Sequence, residues 1–474
     1  MKVQVFLVLS LLFFAACKAV GTDYVAPEAE VAPQWHADLE AKGVARDAAD
    51  LARWWERFQD PVLNDLIERA AIGSLDVREA LGRWKEARAL RGATAADRYP
   101  TLDAQTSYTR RAESKNTPFG NFVPDTDNFA LGFDASWEID LWGRVSRSIE
   151  AADADLQVAV EDARAVGVAV AAETARNYIE LRALQRRVAI ARDNVALQEQ
   201  TLQLVRGLFD AGLQSAGDLA QAQANLETTR ARIPTLEIGL RAAQNRLAVL
   251  LGLAPGTLTR QLNEPRPIPV PPVSVAVGVP ADLLRRRADV RRAERVLAAE
   301  HARIGVAEGD LYPRLTLAGN LGFAADELSS LFTRPSFNYG YGPSLRLNLF
   351  DSGRIRNRVV AQEARTEQAF VRWERAVLTA LEETENELQA FVLEQERRNS
   401  LLAAATQARL AAELSRTQYS DGISDFQSVL VSERSVTDLE DDLAASEAAI
   451  ATRLVALYKA LGGGWSENPA SVHP

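Results

Sequence analysis

The chain has 474 residues, of which 47% are hydrophobic and 25% are charged, and its formal net charge is -10 at pH 7. This length exceeds that of one ordinary domain and favours a repeat or a multi-part architecture. The acidic balance argues against a nucleic acid partner, because phosphate binding needs a basic surface. The single cysteine excludes a disulfide bond within one chain.

Residues 1–16 are predicted to be a secretory signal peptide, because one lysine is followed by a short apolar run and then by two small residues. Cys17 comes next, in a pattern similar to the lipobox of bacterial lipoproteins. We therefore expect Cys17 to carry a lipid anchor and residues 17–61 to form a lipidated, extended segment. The alternative is ordinary cleavage that leaves an unmodified thiol. No later stretch reaches the roughly 18 consecutive apolar residues of a membrane helix, so any crossing is expected to use strands.

The rest of the chain contains two halves with similar sequences. "LDVREA" (75–80) aligns with "ADVRRA" (288–293) at an offset of 213, and "FDAGL" (209–213) matches "YSDGI" (419–423) at an offset of 210. A constant offset over this length predicts a tandem duplication. The first repeat is predicted over 62–252, a proline-rich linker over 253–280, the second repeat over 281–462 and a tail over 463–474.

Each repeat is predicted to contain a helix, two strands and a long helical hairpin. The first helices are expected at 62–97 and 281–310, and the strands at 100–112, 128–142, 314–323 and 339–350. The long helices run over 144–210 and 354–421, and the returning helices over 217–250 and 425–461. We expect Pro234 to kink or break the first returning helix.

The stretch "FALGFDASWEIDLWGR" (129–144) is apolar at every second position, which predicts a strand with one apolar and one polar face. The last strand repeats this pattern. A soluble, half-buried sheet would show the same alternation, but four strands cannot close a membrane barrel alone, since the smallest have about eight. The prediction is that several copies close one barrel above a helical tunnel. The residues predicted to face lipid are Leu131, Phe133, Trp137, Leu345 and Leu347.

Several stretches together resemble the TolC-like outer membrane efflux factors, in their lipoprotein (OprM/NodT-like) branch. One departure is Ala288, where relatives usually carry proline. The stretches that carry the resemblance are Cys17 with "DYVAP" (23–27), "WWERFQDPVLNDLI" (54–67), "FALGFDASWEIDLWGR" (129–144), "VPADLLRRRADVRRAER" (279–295), "GPSLRLNLFDSGR" (342–354) and "LVALYKALGGGW" (454–465).

The resemblance implies a mostly α-helical fold with a transmembrane β-barrel. Four strands per protomer would complete a 12-stranded barrel in a homotrimer, on a long α-helical periplasmic tunnel. The implied function is the outer membrane exit duct of a tripartite efflux pump, which passively conducts small molecules such as drugs. Its implied partners are outer membrane lipid, a periplasmic adaptor protein and an inner-membrane transporter of the resistance-nodulation-division type. Two alternatives stay open: a channel for a type I protein secretion exporter, and a structural periplasmic coiled-coil adaptor.

The hairpin turns at Gly212 and Gly422 mark the end of the tunnel where a gate is expected. Carboxylates repeated around a symmetric tube would form negative rings there, and the resemblance implies such rings with an aromatic-to-acid link. The gate candidates are Asp218 and Asp425, with Tyr419 as the aromatic residue and Phe209 as its counterpart in the first repeat. The alternative is that both aspartates only cap the returning helices.

An enzyme is not expected. The three histidines, His36, His301 and His473, are far apart in sequence and none lies in a metal-ligand spacing. No Walker-type phosphate-binding motif is present, so energy for transport would have to come from elsewhere. We therefore expect no catalytic residue, no cofactor and no metal.

Overall fold

The structure is a computed structural model that describes residues 19–35, 44–45, 51–118, 120–122, 124–269, 275–276 and 280–465. The predicted signal peptide, Cys17 and most of the predicted tail lie outside these residues. The described chain is mostly helical, with one four-stranded sheet and a two-stranded pair.

The long elements appear in the order that the duplication predicts. The helices are α1 (Pro61–Gly73), α2 (Leu75–Ala96), α3 (Arg144–Asp210), α4 (Ala216–Leu250), α5 (Thr259–Leu262), α6 (Pro280–Arg286), α7 (Ala288–Gly309), α8 (Arg354–Ser420) and α9 (Phe426–Ala460). The strands are β1 (Val44–Ala45), β2 (Thr101–Arg111), β3 (Thr126–Ile139), β4 (Val275–Ala276), β5 (Arg314–Ala325) and β6 (Phe337–Arg346).

The duplication is confirmed element by element. Helices α2 and α7 both have 22 residues and begin 213 positions apart. Helices α3 and α8 both have 67 residues, helices α4 and α9 both have 35, and each pair begins 210 positions apart. The two repeats therefore build the same set of helices, and the change of offset falls between the first strand and the long helix.

The first helix of each repeat is broken, which corrects the expectation of single helices over 62–97 and 281–310. In the first repeat, Ser74 adopts an extended conformation with ψ 132° and closes α1 by donating its N–H to Ala70. A Cβ at Gly73 would lie 2.5 Å from the carbonyl oxygen of Leu251. The break therefore occurs where the backbone at Gly73 passes too close to Leu251 for a side chain. In the second repeat the break falls at Arg287.

The expected break at Pro234 is wrong, because α4 continues through this residue from Ala216 to Leu250. Proline removes one backbone donor from a helix. Buried residues on both sides of the proline, including Leu226 and Leu247, hold the helix by packing. Tertiary contacts therefore outweigh the local cost.

The four-stranded sheet is antiparallel, in the order β2-β3-β5-β6. Its register is continuous across all four strands: Asp134 pairs with Asp103 on one side and with Asn320 on the other. Since side chains alternate along a strand, this register collects the apolar residues on one face of the sheet. The apolar residues of that face, called here the apolar face, are Leu102, Ala104, Tyr108, Phe129, Leu131, Phe133, Ala135, Trp137, Ile139, Leu315, Leu317, Leu321, Phe323, Ala325, Phe337, Tyr339, Tyr341, Pro343 and Leu345.

Strands β2 and β6 are the two edges of the sheet. Pro343 lies in β6, where its missing N–H is tolerated because proline in sheets is confined to edges and bulges. Strand β6 ends at Arg346, four residues earlier than expected, so Leu347 follows the strand instead of lying in it.

The segments predicted as extended contain short regular elements. Strand β1, before the first repeat, pairs in parallel with β4 in the linker. A 3-10 helix over Trp54–Phe58 buries Trp54, whose ring stacks on Tyr458 with centroids 5.5 Å apart. Asp60 caps α1 and also accepts a 2.7 Å hydrogen bond from the hydroxyl of Tyr178.

The chain divides into two compact units. Among the described residues, the first lies within 19–28, 84–159 and 292–373 and contains the four-stranded sheet. The second lies within 29–83, 160–291 and 374–465 and contains both hairpin ends. Across the described ranges, no helix combines the length and the apolar character needed to cross a membrane.

Candidate gate at the hairpin ends

The first hairpin end begins where α3 stops at Asp210. Gly212 has a φ of +72°, in the left-handed region that favours glycine. Its N–H donates to the carbonyl of Phe209 at 2.9 Å, and the N–H of Leu213 donates to Leu208 at 2.9 Å. These two bonds form a Schellman motif, which satisfies the last carbonyls of the helix.

The second hairpin end repeats this geometry 210 residues later. Gly422 has a φ of +74°, and its N–H donates to Tyr419 at 3.1 Å. The N–H of Ile423 donates to Gln418 at 2.8 Å. The sequence therefore located both turns and both turn glycines correctly.

The returning helices begin with matching caps in which serine and aspartate exchange positions. In α4, Ser215 is the N-cap: its hydroxyl accepts from the N–H of Asp218 and donates to the Asp218 carboxylate at 2.7 Å. In α9, Asp425 is the N-cap and accepts from the N–H of Ser428 at 3.0 Å and from its hydroxyl at 2.8 Å. Both gate candidates thus take part in helix caps.

Capping leaves the negative charge at the tip. The hydroxyl and the N–H of Ser428 hold the pKa of the Asp425 carboxyl below its ordinary value, so this group is ionised at neutral pH. The carboxylate is exposed. Helix capping and a role as a charged ring are therefore compatible.

Tyr419 of α8 is buried among apolar residues of three other helices, with 2% of its surface exposed. Its ring lies 5.6 Å from that of Phe426. The cluster around them, called here the tip cluster, consists of Val205, Ala222, Tyr419, Phe426, Val429 and Leu430. Phe209, the counterpart of Tyr419 by the repeat, is 37% exposed, so the two positions differ in burial.

The Tyr419 hydroxyl is buried and has no hydrogen-bond partner within the described part of the chain. Burial raises the pKa of this phenol, and the negative charge of Asp218 acts in the same direction. Within the described part of this protomer, Tyr419 therefore makes no hydrogen bond to Asp218 or Asp425, and the aromatic-to-acid link stays a prediction.

The outermost residue of each turn is apolar and exposed. Leu213 is 70% exposed and Ile423 is 74% exposed, at equivalent positions of the two repeats. An exposed apolar residue on its own is unremarkable, but here the same position is apolar in both turns. Each hairpin end thus presents one exposed apolar side chain within a few residues of exposed carboxylates.

Sequence reasoning missed a set of buried polar residues behind the tip cluster. Glu433 of α9 is 3% exposed and accepts a 2.5 Å hydrogen bond from the hydroxyl of Thr201 in α3. The guanidinium of Arg416 in α8 lies 3.7 Å from the same carboxylate oxygen. Three helices of the two hairpins therefore meet at one polar layer.

A second layer lies seven residues further along the same helices. Glu440 accepts hydrogen bonds from Arg409 and from Asn194, the latter at 3.3 Å. The seven-residue spacing between 194 and 201 and between 433 and 440 is the sequence signal that could have revealed these layers.

The residues predicted to face lipid belong to the sheet of the first unit. Leu131, Phe133 and Leu345 lie on the apolar face and are 37%, 48% and 66% exposed. Trp137 lies on the same face, is half-buried, and donates its indole N–H to the carbonyl of Arg98 at 2.9 Å. Leu347, just after β6, is 46% exposed.

No cluster of three or more metal-ligating side chains occurs within the ranges that the structure covers.

Comparison with known proteins assigns the chain to a family. The model of the outer membrane efflux protein family matches residues 66–253 and 279–463. Nodulation protein T of Rhizobium leguminosarum bv. viciae is 31% identical over 464 residues, which cover 96% of this chain and 92% of that protein. Outer membrane protein OprJ of Pseudomonas aeruginosa is 30% identical over 475 residues, with coverage of 97% and 96%.

A solved structure supports the same assignment. The outer-membrane channel OprN superposes with a TM-score of 0.87 at 36% identity, covering 94% of this chain and 99% of that one. The fold, the duplication and the sequence similarity thus agree over nearly the whole chain. The chain therefore belongs to the outer membrane efflux protein family and is an outer membrane channel component of an efflux system.

Proposed function

We propose that three copies of this chain close a 12-stranded barrel and form the exit duct of a tripartite efflux pump. The observation that carries this proposal is the four-stranded sheet, which has one apolar face and two open edges, β2 and β6. An open edge is not tolerated in lipid, because its backbone groups would lack partners. Pairing β6 of one copy with β2 of the next satisfies both edges and turns the apolar face toward lipid.

The duct conducts small molecules passively and performs no catalysis. An inner-membrane transporter of the resistance-nodulation-division type supplies the energy, and a periplasmic adaptor docks at the hairpin ends. The exposed Leu213 and Ile423 give that adaptor apolar contacts beside the carboxylates. A chain with two hairpins and a four-stranded sheet does not fit the alternative of a structural coiled-coil adaptor. Cys17 is the lipid-anchor site in this proposal.

The hairpin ends form the gate. Asp218 and Asp425 are repeated around the threefold axis and give rings of negative charge. The buried packing of Tyr419 in the tip cluster sets the resting position of the second hairpin end.

Arginine substitutions on the sheet test the barrel. Leu131→Arg and Phe133→Arg near the middle of the bilayer should each cost about 2–4 kcal/mol per copy. The matched control is Ser136→Arg on the opposite face of the same strand. We expect heat-resistant trimers in outer membrane fractions to be lost for the first two and retained for the control. Equal tolerance of all three would contradict a lipid-facing sheet.

Single-channel conductance of the purified trimer tests the gate. The double change Asp218→Asn and Asp425→Asn removes the proposed rings, and it should change both the conductance and the block by divalent or trivalent cations. Asparagine is as good an N-cap as aspartate, so the α9 cap is preserved. Unchanged conductance and unchanged block would show that these carboxylates are not the gate.

A further inference from the structure

Glu433 is a buried carboxylate whose charge is poorly compensated. One oxygen, Oε1, receives two contacts: the hydroxyl of Thr201 at 2.5 Å and the guanidinium of Arg416 at 3.7 Å. The second contact is longer than a hydrogen bond. The Nε of Arg416 is itself buried and has no hydrogen-bond partner in the described ranges. The ion pair is therefore incomplete on both sides.

Glu440 provides the comparison within the same helix. It lies one heptad away, and its two carboxylate oxygens accept hydrogen bonds from Arg409 and Asn194 respectively. A buried charge is tolerated when it is paired and hydrogen-bonded in this way, and costs free energy when it is not. Of the two layers, only the one at Glu433 holds a buried carboxylate that is incompletely paired, and its charge therefore costs free energy.

Burial raises the pKa of the Glu433 carboxyl, and the opposing effects of Thr201 and Arg416 do not cancel it. The structure identifies the groups that face this carboxyl: Thr201 from α3 is neutral, and Arg416 from α8 is the charged group that acts on it. Because Arg416 lowers the pKa, the raised value is a consequence of dehydration.

The position of Glu433 connects it to the gate. It follows the N-cap Asp425 by eight residues, about two helical turns, and lies three residues after Leu430 of the tip cluster. Any movement that separates α9 from α3 at this end brings the carboxyl into water. The ionisation of Glu433 is therefore coupled to the packing of the second hairpin.

We propose that Glu433 is a proton-binding site of the gate, which keeps α9 packed against α3 when protonated and favours their separation when ionised. This inference rests on the proposed function of the hairpin ends as the gate.

The direction of the effect follows from linkage. The packed arrangement binds the proton more tightly than an arrangement that exposes the carboxyl, so proton binding favours packing. The stabilisation is complete below the ordinary carboxyl pKa, about 4.5, and is lost as the pH rises through the raised pKa of the packed state. For each unit by which the two pKa values differ, the opening equilibrium changes by up to about tenfold.

The first repeat contains a natural neutral counterpart. Gln223 lies 210 residues before Glu433, at the equivalent position of α4, and is exposed in the protomer. A glutamine cannot titrate. The proton response of this site therefore belongs to the second hairpin.

Conductance of the purified trimer in planar bilayers, recorded between about pH 5 and pH 8, tests the inference. Wild-type channels should open more often as the pH rises. Glu433→Gln should open rarely and with little dependence on pH over this range. The matched control, Glu440→Gln, loses a compensated ion pair and should open more often at every pH. It should keep the rise in opening frequency with pH, called here the pH step. A pH step that survives in Glu433→Gln, or one that disappears in Glu440→Gln, would overturn the proposal.

Thr201→Val tests the same site without changing the carboxylate, and serves if Glu433→Gln fails to assemble. The hydroxyl of Thr201 stabilises the ionised form, so its removal should move the midpoint of the pH step to higher pH. An unmoved or lowered midpoint contradicts the proposal. If wild-type trimers formed no channel at any pH, the proposed function itself would be wrong. That outcome is distinct from a working channel without the expected pH dependence, which would overturn only this inference.

Discussion

The two hairpin ends have nearly the same backbone and very different surroundings. Both turns place glycine at a φ of +72° to +74°, and both close with the same pair of hydrogen bonds. Yet Tyr419 is enclosed by the tip cluster, whereas Phe209 is 37% exposed. Local geometry was thus retained in both repeats, while the packing around it diverged.

This difference indicates that the two hairpin ends have different roles, one as a packed end and one as a contact surface. The second end is held in place by the apolar burial of the tip cluster. The first end exposes both Phe209 and Leu213 for contacts with a neighbouring copy or with a partner, whereas the second end exposes Ile423 and buries Tyr419. The predictions that follow test this division.

Truncation of the two aromatic residues should give the largest difference. Tyr419→Ala empties a buried site and should lower the free energy of unfolding by about 3–5 kcal/mol. Phe209→Ala should cost less than about 1 kcal/mol. Thermal unfolding of the two variants by circular dichroism, together with trypsin cleavage at the hairpin ends, measures this. Equal losses would mean that Phe209 is buried in the assembled channel and that the two ends are equivalent.

Substitution of the turn glycines should affect both ends equally. Gly212→Ala and Gly422→Ala each force an L-residue into the left-handed region, at a cost of about 1–2 kcal/mol. A Cβ at either position meets no atom within 4 Å, so the effect is confined to the backbone. The comparison is made by thermal unfolding. A much larger loss at Gly422 would show that packing, and not backbone conformation, requires this glycine.

Removal of the Tyr419 hydroxyl tests whether this buried group has a hydrogen-bond partner in the assembled channel. A buried hydroxyl without a partner costs free energy, so Tyr419→Phe should leave the protein equally stable or stabilise it by up to about 1 kcal/mol. The melting temperature of the purified trimer reports the change. A loss above about 1 kcal/mol would reveal a hydrogen bond to this hydroxyl from a neighbouring protomer.

The smallest effect concerns the two caps. The Asp425 carboxyl has a lowered pKa, so its contribution to stability is present above its ordinary value of 3.8 and is lost as the pH falls through the lowered value. Asp425→Asn should remove this acid sensitivity and keep the cap, whereas Ser215→Asn should leave it in place. Hydrogen exchange at the first turn of α9, followed from neutral to acidic pH, distinguishes them. A persisting acid response in Asp425→Asn would assign it to another group.

The regular features of the fold could be predicted because they are periodic. The repeat offset predicted matching helices, and the alternation in "FALGFDASWEIDLWGR" predicted the face on which Leu131 and Phe133 lie. The turn glycines were found because their conformation needs a residue without a Cβ. These signals are local, and one sequence is enough to detect them.

Features that depend on contacts between distant residues escaped sequence reasoning. The break at Ser74 follows the close approach of Gly73 to Leu251, and the continuity at Pro234 depends on tertiary packing. The burial of Tyr419 is set by residues on three other helices. Glu433 was overlooked because, in sequence, an acidic residue on a charged helix looks like part of a solvated face.

The exchanged caps carry a consequence for the history of the chain. One repeat begins its returning helix with serine followed three residues later by aspartate, and the other with aspartate followed by serine. Descent from one ancestral hairpin requires both positions to have changed between the copies, one codon at a time. After one change, both positions hold serine or both hold aspartate. Either residue at the first position still caps the helix. A capping residue is therefore kept along the whole path, and the exchange moved the carboxylate from the third helical position in one repeat to the cap position in the other.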